Sequence, residues 1–424
     1  MLNDLLIPYR ALFVGFSGGL DSTVLLHQLR NNPLLSQRIT AVHVHHGLSS
    51  EATRWQQHCQ GLCDAWQVPL IIRHVTIQAK SNIEEAARIA RYKMFESLIT
   101  SEKDALVLAH HEDDQAETVL LHLMRGAGIE GLSAISVSSV LSKGMLIRPL
   151  LEVPKQSLLQ YARHNNLSWI EDESNQEEAF SRNFLRHRII PLLQEKWPSV
   201  VQNVARTATH CQQAKKNLEV LAELDYPGLE TDQLGLSLPK LRALQFARLS
   251  NVLRVWLQKN KVRAVSKKRL DLLIQEVILA RTDAMPCFKL GNRVIRRYQD
   301  KLYLLHDFLK VAPMEWVDFP QALVMRAGTL EATPSTEGLL VPALSRIQVR
   351  YRQGGEQFVW HGQTKHLKTL MQHWHIPPWQ RSQIPLLYIN DTLAAVLGYA
   401  ISDLFYAQKE TPECFNLKHT LISC

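Results

Sequence analysis

Short apolar runs alternate with helical patterns through the first half of the chain. Continuous apolar runs predict five buried strands, at 11–16, 39–44, 68–75, 105–109 and 146–151. Between them, apolar residues that recur three and four positions apart predict helices at 22–30, 51–66, 83–99 and 114–125. Strands separated by helices in this rhythm indicate an α/β fold with a doubly wound, mostly parallel sheet. In such folds, ligands bind beyond the carboxyl ends of the strands.

The second half of the chain has a different pattern. It is helical from about 152 to 224, apart from the polar stretch 171–178, and helical again over 240–280. The region 311–340 holds several Pro, Gly and Thr residues, which predicts a linker with short strands. Strand patterns at 343–352 and 393–399 then flank a predicted helix near 365–374. We therefore predict an α/β domain at 1–212, a mainly helical domain at 213–310, a linker at 311–342 and a small mixed α/β domain at 343–424.

The composition is that of a folded protein with a local excess of positive charge. Of the 424 residues, 46% are hydrophobic and 21% are charged, which argues against disorder. The net charge is +8, but the segment from Asn251 to Lys301 alone contains 13 Lys and Arg against 4 Asp and Glu. A positive charge that is confined to one segment predicts a polyanionic partner.

Cysteine usage and hydropathy predict a cytoplasmic protein. The six cysteines form no Cys-x-x-Cys pair, so we expect reduced thiols rather than a disulfide scaffold. No apolar run reaches the roughly 18 residues that a membrane span needs. The N-terminus carries Asp4 and no basic leader, so we expect no signal peptide. These features exclude a secreted mini-protein, a membrane protein and a fibre.

One loop carries the residue types that bind an anion. The sequence GFSGGLDS at 15–22 follows the first predicted strand and begins the first predicted helix. Gly18 and Gly19 lack the Cβ atoms that would keep a phosphate from backbone N–H groups, while Ser17 and Ser22 add hydroxyl donors. The helix N-terminus contributes the positive end of its dipole. The loop is neither a Walker A loop nor a Gly-x-Gly-x-x-Gly motif, and the simpler interpretation is a tight turn.

The segment SGGLDS resembles the signature of the PP-loop ATP pyrophosphatases. These enzymes cleave ATP between the α and β phosphates and form an adenylated intermediate. The resemblance implies that ATP is a cofactor and that its pyrophosphate part is bound by Ser17, Gly18, Gly19, Leu20, Asp21 and Ser22. We expect a Mg²⁺ ion at the triphosphate, with Asp21 as its ligand or as the holder of its water.

Further motifs select one family within that superfamily. They are HVHHGL at 43–48, RIARYKMF at 88–95, AHHEDDQAET at 109–118, SRNFLRHRIIP at 181–191, RQGGE at 352–356, HLKTLMQHWHIPPWQR at 366–381 and PLLYINDTLAAVLG at 385–398. In this order they resemble the tRNA(Ile)-lysidine synthetases over nearly the whole chain. The resemblance implies an enzyme that adenylates the wobble cytidine of isoleucine tRNA with a CAU anticodon and then attaches L-lysine. It assigns ATP binding and catalysis to 1–212 and tRNA contacts to 213–310 and 343–424.

The charged motifs suit this chemistry. Adenylation develops negative charge on phosphate, which Arg88 and Arg91, three residues apart on one helix, could stabilise. Asp113 and Asp114 lie where the fourth predicted strand ends and could bind the lysine cation. Simpler interpretations remain open: the arginines could be a solvated helix face, and Asp114 with Glu117 could be a helix cap.

The histidines allow more than one role. His110 or His111 could accept the proton of the lysine amine, because imidazole titrates near neutral pH. His43, His45 and His46 alternate at the end of a strand, and we favour a packing role for His43. Together with Cys59 and Cys63 they could suggest a metal cluster, but no spacing matches a structural zinc site.

Basic residues and tryptophans could contact RNA in the later segments. RVWLQKNKVRAVSKKR at 254–269 and the group Arg293, Arg296 and Arg297 could bind phosphates, or they could be solvated helix surface. Trp360, Trp374 and Trp379 could stack on unpaired bases, although we expect at least two of them in a domain core. The RQGGE segment could hold a phosphate or form a hairpin turn.

Other functions compete with the ligase. A tRNA thiolase of the same superfamily would usually need a Cys-x-x-Cys pair, and an amidotransferase synthetase would need a glutaminase module or partner. An RNA-binding protein that merely senses ATP would not need Arg88, Arg91, Asp113 and Asp114 beside the loop. A homodimer is expected only on the frequency of symmetric oligomers.

Overall fold

The chain folds into two compact units, Met1–Leu224 and Asp225–Cys424. The structure is a computed structural model that describes residues 2–45, 47, 51–75, 83–171, 181–229, 235–262, 265–281, 284–306, 312–325, 328–408 and 414–421. His46, most of the polar stretch 171–178 and residues 263–264 of the basic segment therefore lie outside the described residues.

The first unit contains a six-stranded sheet. Its strands are β1 (Ala11–Gly15), β2 (Ile39–His45), β3 (Leu70–His74), β4 (Asp104–Val107), β5 (Ser138–Leu141) and β6 (Gly144–Ile147). They lie in the order β3-β2-β1-β4-β6-β5, and every pair is parallel except β5 with β6. The predicted parallel α/β sheet is confirmed. The hairpin strand β5 was not predicted, because three of its four residues are polar or exposed and form no apolar run.

Helices connect these strands and cover the sheet. They are α1 (Leu2–Leu6), α2 (Leu20–Arg30), α3 (Ala52–Trp66), α4 (Ile83–Leu98), α5 (Glu112–Met124), α6 (Ile129–Leu132), α7 (Lys155–His164), α8 (Ser181–Phe184), α9 (Ile190–Lys196) and α10 (Val200–Asp225). A π-helical turn, Leu185–Ile189, joins α8 to α9. Because helices pack on both faces, central strands are buried on both sides: all four residues of β4 are buried.

The register of the sheet brings three strand ends to one edge. Val14 of β1 pairs with Val107 of β4, which in turn pairs with Ile147 of β6. The loop after β1, the segment before α5 and the residue after β6 therefore leave the sheet side by side. This is the edge at which doubly wound sheets bind ligands.

The second unit begins with helices and a small antiparallel sheet. The helices are α11 (Leu238–Arg242), α12 (Phe246–Lys259) and α13 (Lys267–Leu273), and a π-helical turn, Ile274–Ile278, continues α13. The strands are β7 (Leu236–Ser237), β8 (Cys287–Leu290), β9 (Arg293–Tyr298) and β10 (Lys301–His306), in the order β7-β10-β9-β8. The predicted helical region is confirmed, and it carries this sheet in addition.

The remainder of the second unit consists of small sheets and two short helices. The strands are β11 (Met314–Glu315), β12 (Leu323–Met325), β13 (Gly328–Ser335), β14 (Glu337–Leu340), β15 (Ile347–Tyr351), β16 (Gln357–Trp360), β17 (Gln363–His366), β18 (Pro385–Ile389), β19 (Thr392–Val396), β20 (Ala400–Ile401), β21 (Tyr406–Gln408) and β22 (Cys414–Leu421). The helices are α14 (Leu367–His373) and α15 (Pro378–Arg381). One five-stranded sheet has the order β11-β15-β18-β19-β20, and another has the order β12-β13-β22-β14-β21.

The segment predicted as a linker with short strands contributes to both of these sheets. Residues 328–335 form β13, which pairs along its whole length with β22. Met314 and Glu315 form β11, which pairs with β15. Most of the Pro, Gly and Thr residues that indicated a linker thus lie in β13 and β14, where pairing with distant segments outweighs local propensity.

Candidate functional site

The conformation of the loop between β1 and α2 is stabilised by hydrogen bonds among its own polar groups. Ser17 Oγ lies 3.1 Å from Ser22 Oγ, and the Gly19 N–H donates to Ser17 Oγ. Ser22 Oγ also donates to the Gly19 carbonyl at 3.0 Å. Asp21 lies in the first turn of α2, where the helix dipole favours negative charge. The predicted glycine-serine loop is therefore a preformed turn at a helix N-terminus.

The chain packs closely beneath this loop. Gly18 has φ +84°, and a Cβ atom there would lie 2.9 Å from Cys59 Sγ and 3.0 Å from Ile170 Cδ1. The Ile170 N–H donates to the Gly18 carbonyl at 2.9 Å. The ring of buried His43 lies with Nδ1 3.0 Å from the Phe16 carbonyl, which is the packing role that we favoured. Both the conformation and the surroundings of position 18 therefore require glycine.

The buried cysteines near the loop are neutral thiols. Burial raises the pKa of Cys59 and of Cys63 to about 12. Among the described residues, no group of three or more His, Cys, Asp or Glu side chains could hold a metal ion. The part of the chain that the structure describes thus offers no support for a cluster of His43, His45 and these cysteines.

Gly18→Ala is expected to destabilise the protein more than Gly126→Ala. Gly126 also has positive φ, +69°, but a Cβ atom there would meet nothing within 4 Å. Both substitutions strain the backbone by about 1–2 kcal/mol, whereas only Gly18→Ala also pushes a methyl group against Cys59. The thermal unfolding temperatures of the two variants, with and without ATP, measure the difference. Equal losses of stability, with ATP binding intact in both, would contradict this packing.

Three carboxylates surround one histidine at the start of α5. His111 is 2% exposed, and its Nε2 lies 3.5 Å from Asp21 Oδ2 and 3.6 Å from Asp114 Oδ2. Its Nδ1 lies 3.6 Å from Asp113 Oδ2. The Asp113 carboxylate also accepts the Lys155 N–H at 3.0 Å. The structure therefore brings together residues of the loop and of the AHHEDDQAET motif.

His110 and His111 differ in charge. Burial alone would lower the pKa of His111, but hydrogen bonds to Asp113 and Asp21 and the charges of Asp114 and Asp21 outweigh it and raise the pKa to about 10. For His110, burial prevails over the attraction of Asp114, and nearby arginines act in the same direction, so that its pKa falls to about 4. Near neutral pH, His111 is a cation and His110 is neutral. Only the neutral ring can accept a proton.

Asp114 is a helix cap and also part of an ion-pair network. Its Oδ2 accepts the His111 N–H at 3.1 Å, so the capping pair is Asp114 with His111 rather than with Glu117. Its Oδ1 lies 3.6 Å from Arg182 Nη2 and 3.5 Å from Arg186 Nη2. The charge of His111, the arginines and the cap hydrogen bond overcome burial and lower the pKa of Asp114. Asp114 is therefore ionised at neutral pH.

Glu117 anchors two of the three arginines of the SRNFLRHRIIP motif, Arg182 and Arg186. It is 1% exposed, and its carboxylate lies 2.8 Å from Arg182 Nε and 2.6 Å from Arg186 Nε. Our sequence analysis considered Glu117 only as a cap partner. The spacing of Glu117 three residues after Asp114 places both carboxylates on one helix face, and that signal was available.

The two arginines of α4 extend the charged surroundings. The Arg88 and Arg91 side chains are exposed, and the Arg88 guanidinium lies 5.8 Å from the ring centre of Tyr92. Arg91 is near enough to help lower the pKa of His110, and Arg88 helps to lower that of Arg148. Arg148 was not predicted, because a single arginine at the end of a strand carries no motif.

The RQGGE segment binds its own carboxylate. Glu356 Oε1 accepts the N–H groups of Gln353 and Gly354 at 2.5 and 2.8 Å, while Oε2 lies 3.6 Å from Arg352 Nε. A carboxylate of the chain thus occupies the cradle that a phosphate would need. The segment is a turn that connects β15 and β16, but these strands lie in different sheets, so it is not the hairpin turn that we considered.

Glu356→Gln is expected to lower stability at pH 7 but not in acid. Burial would raise the pKa of Glu356, but the hydrogen bonds from backbone N–H groups and the charge of Arg352 lower it. Stabilisation by a carboxyl of lowered pKa is complete above its unfolded pKa of about 4.3 and is lost as pH falls through the folded value. We expect a deficit of about 1–2 kcal/mol at pH 7, measured as unfolding free energy. A deficit that is unchanged at pH 3 would contradict this interpretation.

The basic segment is divided between the core and the surface. Arg297 is 6% exposed and donates to the carbonyls of Val277, Ala280 and Ala284, so it joins β9 to the end of a helix. Trp256 is buried in α12. The exposed cations are Lys259, Lys261, Lys267, Lys268, Arg269, Arg281 and Lys289. Phosphate contacts therefore remain a prediction for the exposed cations but not for Arg297.

The three tryptophans of the last segment all contribute to packing. Trp379 is buried, and its ring centre lies 5.8 Å from that of Tyr298. Trp360 and Trp374 are half-buried against the cluster around Phe358, and their ring centres lie 5.5 Å apart. The expectation that at least two of them belong to a domain core agrees with this packing.

Comparison with known proteins extends over most of the chain. The family model of the PP-loop domain matches residues 2–193, and those of the TilS substrate binding domain and the TilS substrate C-terminal domain match 236–303 and 347–418. The solved U34-tRNA thiolase NcsA from Methanococcus maripaludis is 20% identical, with a TM-score of 0.42, over 49% of this chain and 74% of that chain. Every helix in the described part of the chain is too short or too polar to cross a membrane.

Curated relatives carry one name. The tRNA(Ile)-lysidine synthase of Legionella pneumophila (strain Paris) is 50% identical over 402 residues, which cover 94% of this chain and 93% of the relative. That of Coxiella burnetii (strain RSA 493 / Nine Mile phase I) is 40% identical over 411 residues, 94% of this chain and 90% of the relative. The resemblance seen in the motifs is thus confirmed, and the thiolase alternative is not supported. The chain belongs to the tRNA(Ile)-lysidine synthase family of ATP-using, tRNA-modifying ligases.

Proposed function

We propose that the protein attaches L-lysine to the wobble cytidine of isoleucine tRNA with a CAU anticodon. The observation that carries the proposal is the contact between Asp21 of the loop and His111 at the start of α5, 3.5 Å apart. It joins an anion-binding turn to a cluster of carboxylates and histidines in a single site. ATP bound on the turn and a lysine amine bound beside the carboxylates would therefore both lie close enough to react with the same cytidine.

The reaction that we propose has two steps. First, the C2 oxygen of the cytidine forms a bond to the α-phosphorus of ATP, and the bond to the β-phosphate breaks to release pyrophosphate. The lysine ε-amine, after losing its ammonium proton, then forms a bond to C2 as the C2–oxygen bond breaks and AMP leaves. Adenylation is needed because an oxygen attached to phosphate leaves more readily than a carbonyl oxygen.

The loop residues bind the pyrophosphate part of ATP in this proposal. They are Ser17, Gly18, Gly19, Leu20, Asp21 and Ser22. The N-terminus of α2 offers backbone N–H groups to an anion, and the serine hydroxyls and the Gly19 N–H can exchange their mutual hydrogen bonds for phosphate oxygens. Arg88 and Arg91 neutralise the charge that develops on phosphate during adenylation.

Mg²⁺ fits the residues present. Asp21 Oδ1 is buried and has no hydrogen-bond partner among the described residues, and a carboxylate oxygen is a ligand that Mg²⁺ prefers. Because the described residues offer no set of three acidic or histidine ligands, the ion would be held jointly by Asp21 and the phosphates. When bound, it would neutralise the charge of the triphosphate.

In this proposal His110 accepts the proton that the nitrogen gives up as it bonds to C2, when that nitrogen is far more acidic than a free ammonium group. Its ring is neutral near neutral pH because burial lowers its pKa to about 4, and its buried Nδ1 has no hydrogen-bond partner among the described residues. His111 is already protonated by its contacts with three carboxylates, so it positions those carboxylates instead. Asp113 and Asp114 bind the lysine cation, and both are ionised because interactions with His111 lower their pKa values.

The modules follow the order of the sequence. We propose ATP binding and catalysis in 1–212, and tRNA contacts in 213–310 and 343–424, with 311–342 contributing strands to the last of these. Reduced thiols and a tRNA substrate support a cytoplasmic location, and a homodimer remains a prediction. The exposed cations of α12, α13 and the following turns support the tRNA contacts, because phosphate contacts fix the position of an RNA.

An AMP-release assay tests the proposed function. Purified protein is incubated with ATP and Mg²⁺, adding labelled lysine and isoleucine tRNA with a CAU anticodon singly and together. Label should enter the tRNA only when all components are present, with one AMP formed for each lysine attached. Pyrophosphate release with tRNA but without lysine incorporation would show that the nucleophile is wrong. Absence of any tRNA-dependent ATP cleavage would refute the proposal.

A further inference from the structure

Arg148 lies at the ligand-binding edge of the sheet, and no acidic side chain among the described residues pairs with it. It follows Ile147, the last residue of β6, and β6 pairs with β4 just before His110. Its Nη1 donates to the Ser136 carbonyl at 2.8 Å, which fixes the direction of the guanidinium. Its Nε is buried and has no hydrogen-bond partner among the described residues. A buried guanidinium N–H without an acceptor is costly unless an anion binds there.

The neighbours of Arg148 increase the positive charge. Burial and the charge of Arg88 lower its pKa, whereas interaction with Tyr92 raises it. The Tyr92 ring lies beneath the Arg88 guanidinium, at 5.8 Å, so the tyrosine lies between the two cations. In the described part of the chain, no Asp or Glu forms an ion pair with Arg148 or Arg88. The cluster therefore has positive charge that no acidic side chain in the described part of the chain neutralises.

We propose that Arg148, together with Tyr92, forms an anion-binding subsite that takes a phosphate group of a substrate. Guanidinium groups bind phosphate oxygens through paired N–H donors, and a tyrosine hydroxyl adds a further donor. The phosphate belongs either to the tRNA backbone near the modified base or to ATP. This inference rests on the proposed function, because it assumes that both substrates meet at this edge.

The position of the subsite favours the tRNA backbone. In the strand order β1-β4-β6, Arg148 leaves the sheet two strands away from the loop, roughly 10 Å at the usual strand spacing. His110 and Asp114 follow the strand between them. A phosphate at Arg148 would thus lie on the opposite side of the reacting groups from the pyrophosphate at the loop.

Arg148→Gln and Arg148→Lys test the subsite, with Arg163→Gln as the matched control. Arg163 is an exposed arginine in the last turn of α7, outside the proposed site. KM and kcat for tRNA and for ATP are measured by AMP release, and tRNA and ATP affinities are measured directly by fluorescence anisotropy. We expect Arg148→Gln to raise the KM for tRNA about 10- to 100-fold, the usual effect of losing one hydrogen bond to a charged group. Arg148→Lys should recover part of the loss.

The arms of the experiment separate the two sources of phosphate. A raised KM for tRNA with unchanged ATP affinity, and a smaller salt dependence of tRNA binding, would support a backbone phosphate. A raised KM for ATP and weaker ATP binding without tRNA would support a nucleotide phosphate. Unchanged affinities for both substrates would overturn the proposal, as would a change in kcat alone. The affinities measured by fluorescence anisotropy need no lysine transfer. Their outcome therefore does not depend on whether lysine is the nucleophile in the proposed function.

Two further measurements distinguish the loss of a substrate contact from damage to the fold. Tyr92→Phe keeps the ring beneath Arg88 but removes the hydroxyl, so it should raise the same KM as Arg148→Gln by a smaller factor. Thermal unfolding of each variant shows whether the fold is intact. If Arg148→Gln lowered substrate affinity only to the extent that it lowered the unfolding temperature, and Tyr92→Phe had no effect, the subsite would be refuted.

Discussion

Asp21→Asn is expected to reduce tRNA-dependent AMP release by about 10²- to 10³-fold, the loss typical of removing one charge-stabilising group from a transition state. Asn keeps the shape of the side chain but removes the charge that lies 3.5 Å from His111 Nε2. It also leaves only one, uncharged oxygen in place of the carboxylate whose buried Oδ1 would bind Mg²⁺ in our proposal. The variant should therefore lose turnover and need more Mg²⁺ for half-maximal rate.

The matched control for Asp21→Asn is Asp64→Asn. Asp64 is an exposed carboxylate on α3 that accepts a hydrogen bond from Gln60, so its loss should leave AMP release unchanged. The rise in unfolding temperature that ATP produces provides a readout without catalysis, because a ligand stabilises the folded state that binds it. Full activity of Asp21→Asn at ordinary Mg²⁺ concentration would show that Asp21 has no role in the reaction.

Glu117→Gln is expected to lower the free energy of unfolding of the first unit by about 3 kcal/mol, the lower end of the cost of breaking a buried ion pair. The glutamate is 1% exposed, whereas Arg182 and Arg186 are 36% and 24% exposed and can recover some hydration. Glutamine has almost the same shape, so the loss comes from the missing charge. Both guanidinium groups would then turn toward Asp114, and activity should fall as well.

Hydrogen exchange localises the effect of Glu117→Gln. Peptides from α5 and from residues 181–196 should exchange faster, while those of the second unit should be unaffected, because each unit has its own core. Glu96→Gln, which removes an exposed carboxylate of α4, serves as the control and should change stability by less than about 0.5 kcal/mol. Equal stability of the Glu117 variant and the wild type would mean that the arginines do not depend on this carboxylate.

The fold of the first unit was predictable where local sequence determines it. The glycine-serine loop lies between an apolar run and an amphipathic helix, and the structure has β1 ending at Gly15 and α2 beginning at Leu20. Strand ends that meet at one edge follow from the parallel order of the sheet. The sequence therefore implied that Asp21 lies near the residues before α5, but it did not specify which side chains are in contact.

The charges within the site depended on contacts between distant segments. His110 and His111 are adjacent and equally polar in sequence, yet their pKa values move in opposite directions. The cause is that carboxylates from the first turns of α2 and α5 outweigh burial at His111, whereas burial prevails over Asp114 at His110. The positions of Arg148 and Arg297 could not be predicted for the same reason. Arg148 contacts Tyr92 near Arg88, and Arg297 donates to a carbonyl at a helix end, but the neighbouring sequence indicates neither contact.

The insertion of β22 between β13 and β14 has a consequence for synthesis on the ribosome. Residues 328–340 emerge well before residues 414–421, and until then β13 and β14 lack their shared neighbour. Unpaired strand edges favour pairing with other chains. This sheet can close only after translation has passed residue 421, so a premature stop between 341 and 413 should yield an aggregating product even though the first unit is complete.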